Sequence, residues 1–146
     1  MNVDKGQEET RVKFYVASSF KNKDHVRYVS EQLRNQGYIH TYDWTVNERA
    51  SSLKELREIG QKEKEAVMEA DVLIVILPAG KGSHIEYGIA LGLGKTIYLY
   101  SEDEQVNDFE TTSTFYHLSG VEKCIGTFDE LVASVIARGE ESKNVY

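Results

Sequence analysis

The segment from Gly80 to Gly88, which reads G-K-G-S-H-I-E-Y-G, carries the strongest chemical signal in the sequence. Its glycines let a ligand approach the backbone, and the helix start that follows offers free N–H groups that favour an anion such as a phosphate. Glu86 is expected in the first turn of that helix, where a carboxylate can act as a nucleophile or a general base. Ser83 and Glu86 also have the spacing of a capping box, and spacing alone favours that alternative role for Glu86.

A second carboxylate, Glu63, lies in a charged stretch with a helical pattern. Ile59, Val67 and Ala70 are at helical spacings from it, so Glu63 belongs to the stripe that faces inward. An inward charge is costly unless it is paired or reaches a cavity, which makes Glu63 a candidate site residue. The alternative is a solvated residue at the boundary of the stripe.

Five further side chains are candidates for substrate contacts. Ser18 and Ser19 follow the first predicted strand and could bind a phosphate through their hydroxyl and N–H groups; ordinary turn serines are the alternative. Tyr15 and Trp44 could form an aromatic wall against a planar base, although most strand tyrosines belong to the core. Asp43 accompanies Trp44 in a polar loop and is assigned to the same site.

Strand and helix signals alternate from residue 12 onward and supply the scaffold for these residues. The predicted strands are residues 12–17, 38–42, 72–77, 96–100 and 123–125. Alternation of this kind predicts an α/β fold, a flavodoxin-like, doubly wound, five-stranded parallel sheet in the order 2-1-3-4-5. Ligands bind such sheets at the carboxyl ends of the strands where the order reverses. The crevice therefore lies between the ends of the first and third strands.

Local signals also mark where the helices begin and end. Asn22 could cap the start of the first helix, and Gly37 is the expected stop of that helix. Ser52 with Glu55 and Thr127 with Glu130 have capping-box spacing. The helix that Ser52 opens is predicted to run to about residue 70.

Length, composition and charge narrow the class of protein. The 146 residues predict a single domain over residues 12–137, preceded by a flexible arm at 1–11 and followed by a polar tail at 138–146. The net charge of −7 argues against a nucleic-acid polymer as partner. No apolar run is long enough to span a membrane, and no secretory signal is apparent. Because Cys124 is the only cysteine, no intrachain disulfide can form, and we predict a cytoplasmic protein without a membrane partner.

Three segments of the sequence resemble a known family. They are K-F-Y-V-A-S-S-F at residues 13–20, A-D-V-L-I-V at 70–75 and G-S-H-I-E-Y-G-I-A at 82–90, the last followed by Gly94-Lys95. With them the chain resembles the nucleoside 2-deoxyribosyltransferase superfamily, which includes 2'-deoxynucleoside 5'-phosphate N-hydrolases. The resemblance covers most of residues 12–126 and implies the fold predicted above.

The resemblance also implies an activity and its residues. Glu86 would attack the anomeric carbon of a nucleoside or nucleoside 5'-monophosphate, and the base would leave with help from Glu63. Tyr15 matches a tyrosine that the family carries on its first strand. Further candidate substrate contacts lie in the glycine turn and in the loop after the fourth predicted strand. They are Gly80, Gly82, Ser83 and Ser113. Ser113 would match a residue that family members borrow from a neighbouring subunit.

The family further implies a homodimer or higher homo-oligomer and no metal or organic cofactor. Whether water or a second base resolves the glycosyl–enzyme ester stays open, so hydrolysis and base transfer are both predicted outcomes. Two other functions stay open as well. One is a non-catalytic nucleotide-binding or sensor module of the same fold. The other is an NAD glycohydrolase resembling TIR domains, which share this short fold.

Overall fold

Five parallel strands and four α-helices alternate along the chain in the computed structural model, which describes residues 11–143, with side chains to residue 139. The strands are β1 (Lys13–Ser18), β2 (Ile39–His40), β3 (Val72–Ile76), β4 (Thr96–Ser101) and β5 (Val121–Ile125). The helices are α1 (Lys23–Asn35), α2 (Leu53–Glu69), α3 (Lys81–Gly92) and α4 (Phe128–Lys143). The expected arm at residues 1–11 lies almost wholly outside the described residues.

The strands form one sheet in the order β2-β1-β3-β4-β5, and every neighbouring pair is parallel. The predicted fold class and strand order are therefore confirmed. β1 and β3 are central, and β3 is an unbroken apolar run because a parallel strand is buried on both faces. Helices α1 and α4 pack against each other, as do α2 and α3. This arrangement covers the two faces and leaves the carboxyl ends of β1 and β3 side by side.

The two outer strands differ in length from the prediction. β2 has only two residues, because after the bond from Thr41 N to Phe14 O (3.0 Å) the chain leaves the sheet for a 3₁₀ turn at Trp44–Val46. β5 begins at Val121, two residues earlier than expected. β1 is displaced by one residue and ends at Ser18, so Ser18 belongs to the strand.

The helix boundaries follow the local signals closely. Gly37 adopts a φ of 86° just after α1, a conformation that glycine adopts without strain. The Ser52 side chain accepts a hydrogen bond from Glu55 N at 3.1 Å and opens α2. Thr127 and Glu130 exchange the bonds of a capping box before α4. That helix continues to Lys143, so the first part of the predicted polar tail is helical. No helix within residues 11–143 is long and apolar enough to cross a membrane.

Candidate active site

Glu86 lies in the second turn of α3 and is buried, with 7% of its surface exposed. The capping role favoured by spacing is wrong: Gly80 occupies the cap position, and the Ser83 hydroxyl accepts a hydrogen bond from Gly80 N at 3.2 Å. The helix begins one turn earlier than the spacing of Ser83 and Glu86 indicated. This places Glu86 deeper in the protein, with its carboxylate free for another partner.

That partner is Tyr15, which lies on β1 and is fully buried. Its hydroxyl donates a hydrogen bond to Oε2 of Glu86. Burial raises the pKa of Tyr15 far above its usual range, and the nearby charge of Glu86 adds to this effect. Tyr15 therefore stays protonated and is a permanent hydrogen-bond donor to the carboxylate.

Glu63 extends from α2 toward the same point. Glu63 is half-buried, and its carboxyl interacts with both Glu86 and Tyr15. A solvated residue at the boundary of the helix stripe would make neither of these interactions. Burial raises the pKa of Glu63. Burial also raises the pKa of Glu86 to about 8; the charge of Glu63 adds to this rise, and the bond from Tyr15 opposes it. Two neighbouring carboxyls that repel each other in this way influence each other's protonation and titrate as a coupled pair.

An aromatic pocket of about 390 Å³ adjoins this pair, because Glu63 also lines it. Its apolar wall consists of Phe20, Trp44, Leu56 and Ile59. The Trp44 indole donates from Nε1 to Val16 O at 2.7 Å, which fixes the ring, and the Phe20 ring lies 6.2 Å away at 42°. A flat apolar space next to a carboxyl pair suits a planar heterocycle attached to a reacting bond.

The remaining candidates in the first half of the chain differ in whether their side chains are already engaged in hydrogen bonds within the protein. Asp43 accepts a hydrogen bond from Thr45 N at 3.0 Å, so its carboxylate shapes the turn that carries Trp44. Ser18 donates to Ile76 O at 2.7 Å and accepts from Asn22, so its proton links β1 to β3 and is not free for a phosphate. The Ser19 side chain is half-buried and makes no hydrogen bond with any described residue.

The glycine turn leaves open space at the mouth of the site. A Cβ atom on Gly80 or on Gly82 would meet nothing within 4 Å. Ser83 is buried and its oxygen holds the turn, as described above. Ser113 lies in the loop between β4 and β5, where it caps a short turn by accepting from Phe115 N at 3.2 Å. Ser113 is not among the described residues that line the aromatic pocket.

Sequence patterns did not identify several residues of this site. Arg49, Asn47, Leu56 and Ile59 line the pocket from the loop before α2 and from its first turns. Leu56 has helical spacing to Glu63, the same signal that placed Ile59 on the stripe of Glu63, although neither was predicted to line a pocket. Arg49 has no such signal, because a loop residue follows no period.

A buried glutamate held by a tyrosine and a half-buried glutamate next to it, beside an aromatic pocket at the carboxyl edge of a parallel sheet, fit the paired carboxyls of enzymes that break glycosidic bonds. The sequence model described as nucleoside 2-deoxyribosyltransferase matches residues 14–129. The chain therefore belongs to the nucleoside 2-deoxyribosyltransferase family. This membership assigns it to enzymes acting at the glycosidic bond of nucleosides. No curated protein is similar enough in sequence to count as a match.

Many solved structures share the fold, and three of them serve as examples. The CMP N-glycosidase BcmB of Clostridium botulinum is 19% identical, covers 84% of this chain and 97% of its own, and has a TM-score of 0.60. A 2-deoxyribosyltransferase of Bacillus psychrosaccharolyticus is 18% identical, with 83% and 90% covered and a TM-score of 0.61. A conserved protein of Enterococcus faecalis is 14% identical, with 88% and 99% covered and a TM-score of 0.63. At these identities the likeness establishes the fold.

Proposed function

We propose that the protein cleaves the N-glycosidic bond of a nucleoside or nucleoside 5'-monophosphate through a covalent intermediate on Glu86. The observation that carries this proposal is the position of the Glu86 carboxylate. It is buried, held by Tyr15 and adjacent to Glu63, and Glu63 in turn lines a pocket with room for a base. Family membership supports the same bond as the target.

In the first step, Glu86 attacks the anomeric carbon as the bond from that carbon to the base breaks. The electron pair of the broken bond goes to the base nitrogen, and Glu63 supplies the proton that neutralises the departing base. The product is a glycosyl ester of Glu86 and a free base. Tyr15 orients the attacking oxygen, because its hydrogen bond fixes the other oxygen of the carboxylate.

In the second step, an acceptor attacks the same carbon and the ester bond to Glu86 breaks. Glu63, now ionised, takes the proton of the acceptor. Water as acceptor completes hydrolysis, and a second base completes transfer. Both outcomes use the same carboxyl pair and differ only in what occupies the pocket after the first base leaves.

The raised pKa values of the pair serve both steps. A proton shared between Glu63 and Glu86 keeps one carboxyl available as an acid and the other as a nucleophile at neutral pH. The hydrogen bond from Tyr15 favours the ionised form of Glu86 and opposes the effect of burial. A base bound beside Glu63 accepts a hydrogen bond from that carboxyl and draws the proton to it.

The sugar and its substituents are assigned to the open glycine turn. Gly80 and Gly82 leave room there, Ser19 offers a hydroxyl group from the loop after β1, and the Ser83 hydroxyl in the first turn of α3 keeps its proton for donation. Ser18 and Asp43 were predicted to contact substrate; their hydrogen bonds favour a supporting role instead.

The proposal is tested by measuring base release, by chromatography, from ribonucleosides, deoxyribonucleosides, their 5'-monophosphates and NAD. Glu86→Gln keeps the shape of the side chain and removes the nucleophile, so release is expected to fall by about four orders of magnitude or more. Glu58→Gln changes an exposed glutamate and serves as the matched control.

Other outcomes of this panel identify the alternatives. Release that Glu86→Gln retains refutes Glu86 as the nucleophile. Release of nicotinamide alone indicates an NAD glycohydrolase. Binding of nucleotides without turnover of any substrate indicates a binding module. Trapping of a sugar on Glu86 after rapid quenching, followed by peptide mass spectrometry, tests the covalent intermediate directly.

We further propose that the protein forms a homo-oligomer through the outer face of α3. Ile85 is 65% exposed and Leu93 is 52% exposed, and no charged residue occurs from residue 87 to 94. A surface helix of a soluble protein normally has a polar outer face. Since each copy carries a net charge of −7, an uncharged face is where two copies meet with least repulsion. Ile85→Glu is expected to shift the protein to monomer in sedimentation analysis; an unchanged oligomer refutes this interface.

The role of Ser113 as a contact to a neighbouring subunit and the cytoplasmic location of the protein stay predictions.

A further inference from the structure

One positively charged side chain lines the aromatic pocket and has no part in the proposed chemistry or in the hydrogen bonds of the described fold. Of the described residues that line it, Arg49 alone is cationic. Its guanidinium makes no hydrogen bond or ion pair with any described residue. Arginine has five N–H donors and no acceptor, so an unpaired guanidinium at a pocket mouth is available to a ligand with acceptor atoms.

The loop that carries Arg49 is held at both ends, which fixes the position of its backbone beside the pocket, and the Arg49 side chain itself is exposed. On one side, Arg27 donates to Thr45 O at 2.8 Å, and Tyr42 and Asn47 share hydrogen bonds. On the other side, Ser51 N donates to Glu55 at 2.7 Å where α2 begins. Only residues 48–50 lie between these two anchored ends, and all three line the pocket.

The geometry of a guanidinium selects among bases. Two parallel N–H groups bind best to two adjacent acceptor atoms, as in the pairing of arginine with O6 and N7 of guanine. Hypoxanthine presents the same O6 and N7 pair, and cytosine presents O2 and N3. Adenine places an amino group beside N7, and uracil places an N–H beside O2. In these two bases, one N–H of Arg49 would meet a donor.

We propose that Arg49 determines base specificity by selecting bases with two adjacent acceptor atoms: guanine, hypoxanthine and cytosine over adenine and uracil. This inference rests on the proposed function in that it assigns the pocket to the base. The remaining polar groups of the pocket do not supply this selection. None of them offers two parallel N–H donors: Glu48 is a carboxylate, protonated Glu63 has a single O–H donor, and Asn47 is engaged by Tyr42.

Two matched pairs of ligands test the proposal, inosine against adenosine and cytidine against uridine. Binding is measured by equilibrium dialysis in the Glu86→Gln background, so that no bond is cleaved during the experiment. Inosine and cytidine are expected to bind about 5- to 150-fold more tightly than their partners, the range for one bidentate base contact. Arg49→Ala is expected to remove this preference by weakening inosine and cytidine, while adenosine and uridine change less than about threefold.

Two control variants separate charge, geometry and folding. Arg49→Lys keeps the charge without the planar fork, so it is expected to bind all four nucleosides with little preference. Arg57→Ala removes an exposed arginine of α2 that does not line the pocket and should leave all four affinities unchanged. Equal affinities within both pairs, or an Arg49→Ala variant that keeps the preference or weakens all four nucleosides alike, overturns the proposal.

The proposed function and the specificity of Arg49 fail in different ways. Base release from the wild-type protein without a preference in the two pairs refutes the role of Arg49 and leaves the glycosidase intact. A preference that depends on Arg49, without base release from any substrate, refutes the glycosidase and leaves the base site intact.

Discussion

Replacement of Glu86 by glutamine should stabilise the fold at neutral and alkaline pH while removing the activity. Burial raises the pKa of Glu86 from 4.5 to about 8, so between these values the folded protein holds a proton that the unfolded chain releases. The wild-type protein therefore loses stability as the pH rises through this window. Glutamine carries no charge to desolvate, and its side-chain oxygen can still accept the hydrogen bond from Tyr15.

The size of the effect follows from the pKa difference. Each pH unit contributes about 1.4 kcal/mol, so the interval from pH 5 to pH 8 corresponds to roughly 4 kcal/mol as an upper bound. Glu63 shares the proton with Glu86, which lowers this value. We expect Glu86→Gln to gain on the order of 2–4 kcal/mol over the wild-type protein between pH 5 and pH 8.

Urea unfolding at several pH values measures this difference, and Trp44, the only tryptophan, reports the transition by fluorescence. Protein concentration is kept constant so that self-association does not enter the comparison. Glu58→Gln removes a solvent-exposed glutamate, and its stability relative to the wild type should not vary over the same range. A constant difference between Glu86→Gln and the wild type from pH 5 to pH 8 would refute the argument that burial raises the pKa of this carboxyl.

Four further changes probe the site and its scaffold. Tyr15→Phe removes a hydrogen bond that lowers the pKa of Glu86, so the acid limb of the kcat/KM profile should move to higher pH and the rate should fall about 10- to 100-fold; an unmoved limb contradicts this. Glu63→Gln removes a charge that raises the same pKa, so the limb should move to lower pH while kcat falls; an unmoved limb would show that the pair is not coupled, and a move to higher pH would refute the sign of the coupling. Trp44→Phe should raise KM more than it lowers kcat, measured by steady-state kinetics, because the indole forms the pocket wall; a pure kcat effect contradicts that role. Ser52→Ala should cost about 1 kcal/mol in urea unfolding without changing kinetics, since it removes only a helix cap; a kinetic defect would show that α2 moves with its cap.

Much of the fold can be predicted from local patterns. The parallel sheet follows from alternating strands and helices joined by right-handed crossovers, and the order 2-1-3-4-5 is a common arrangement for five such strands. The helix boundaries at Gly37, Ser52 and Thr127 follow from residues that satisfy backbone groups within a few positions of themselves. Such interactions involve neighbours in the sequence, so the sequence displays both partners together.

Local patterns failed where a side chain had two partners to choose from. The spacing of Ser83 and Glu86 matches a capping box, but Ser83 pairs with Gly80 instead. Asn22 precedes α1 without capping it through its side chain, because that amide binds Ser18 and Pro78 O, the latter 56 positions away. In both cases the competing partner is brought close by the approach of two chain segments, which no local spacing records.

The sequence by itself determined the class of fold, and it predicted the edge of the sheet where a ligand is expected and the two glutamates that could do chemistry there. Only the tertiary structure decided that they form one site. Tyr15 and Glu86 are 71 positions apart and meet because β1 lies beside β3, from which α3 follows. The charge state of the pair depends on how much water the surrounding segments exclude and on the distance between the carboxyls. Arg49 faces the pocket for a related reason: its loop is anchored by contacts from α1 and from the start of α2, and these exist only in the folded chain.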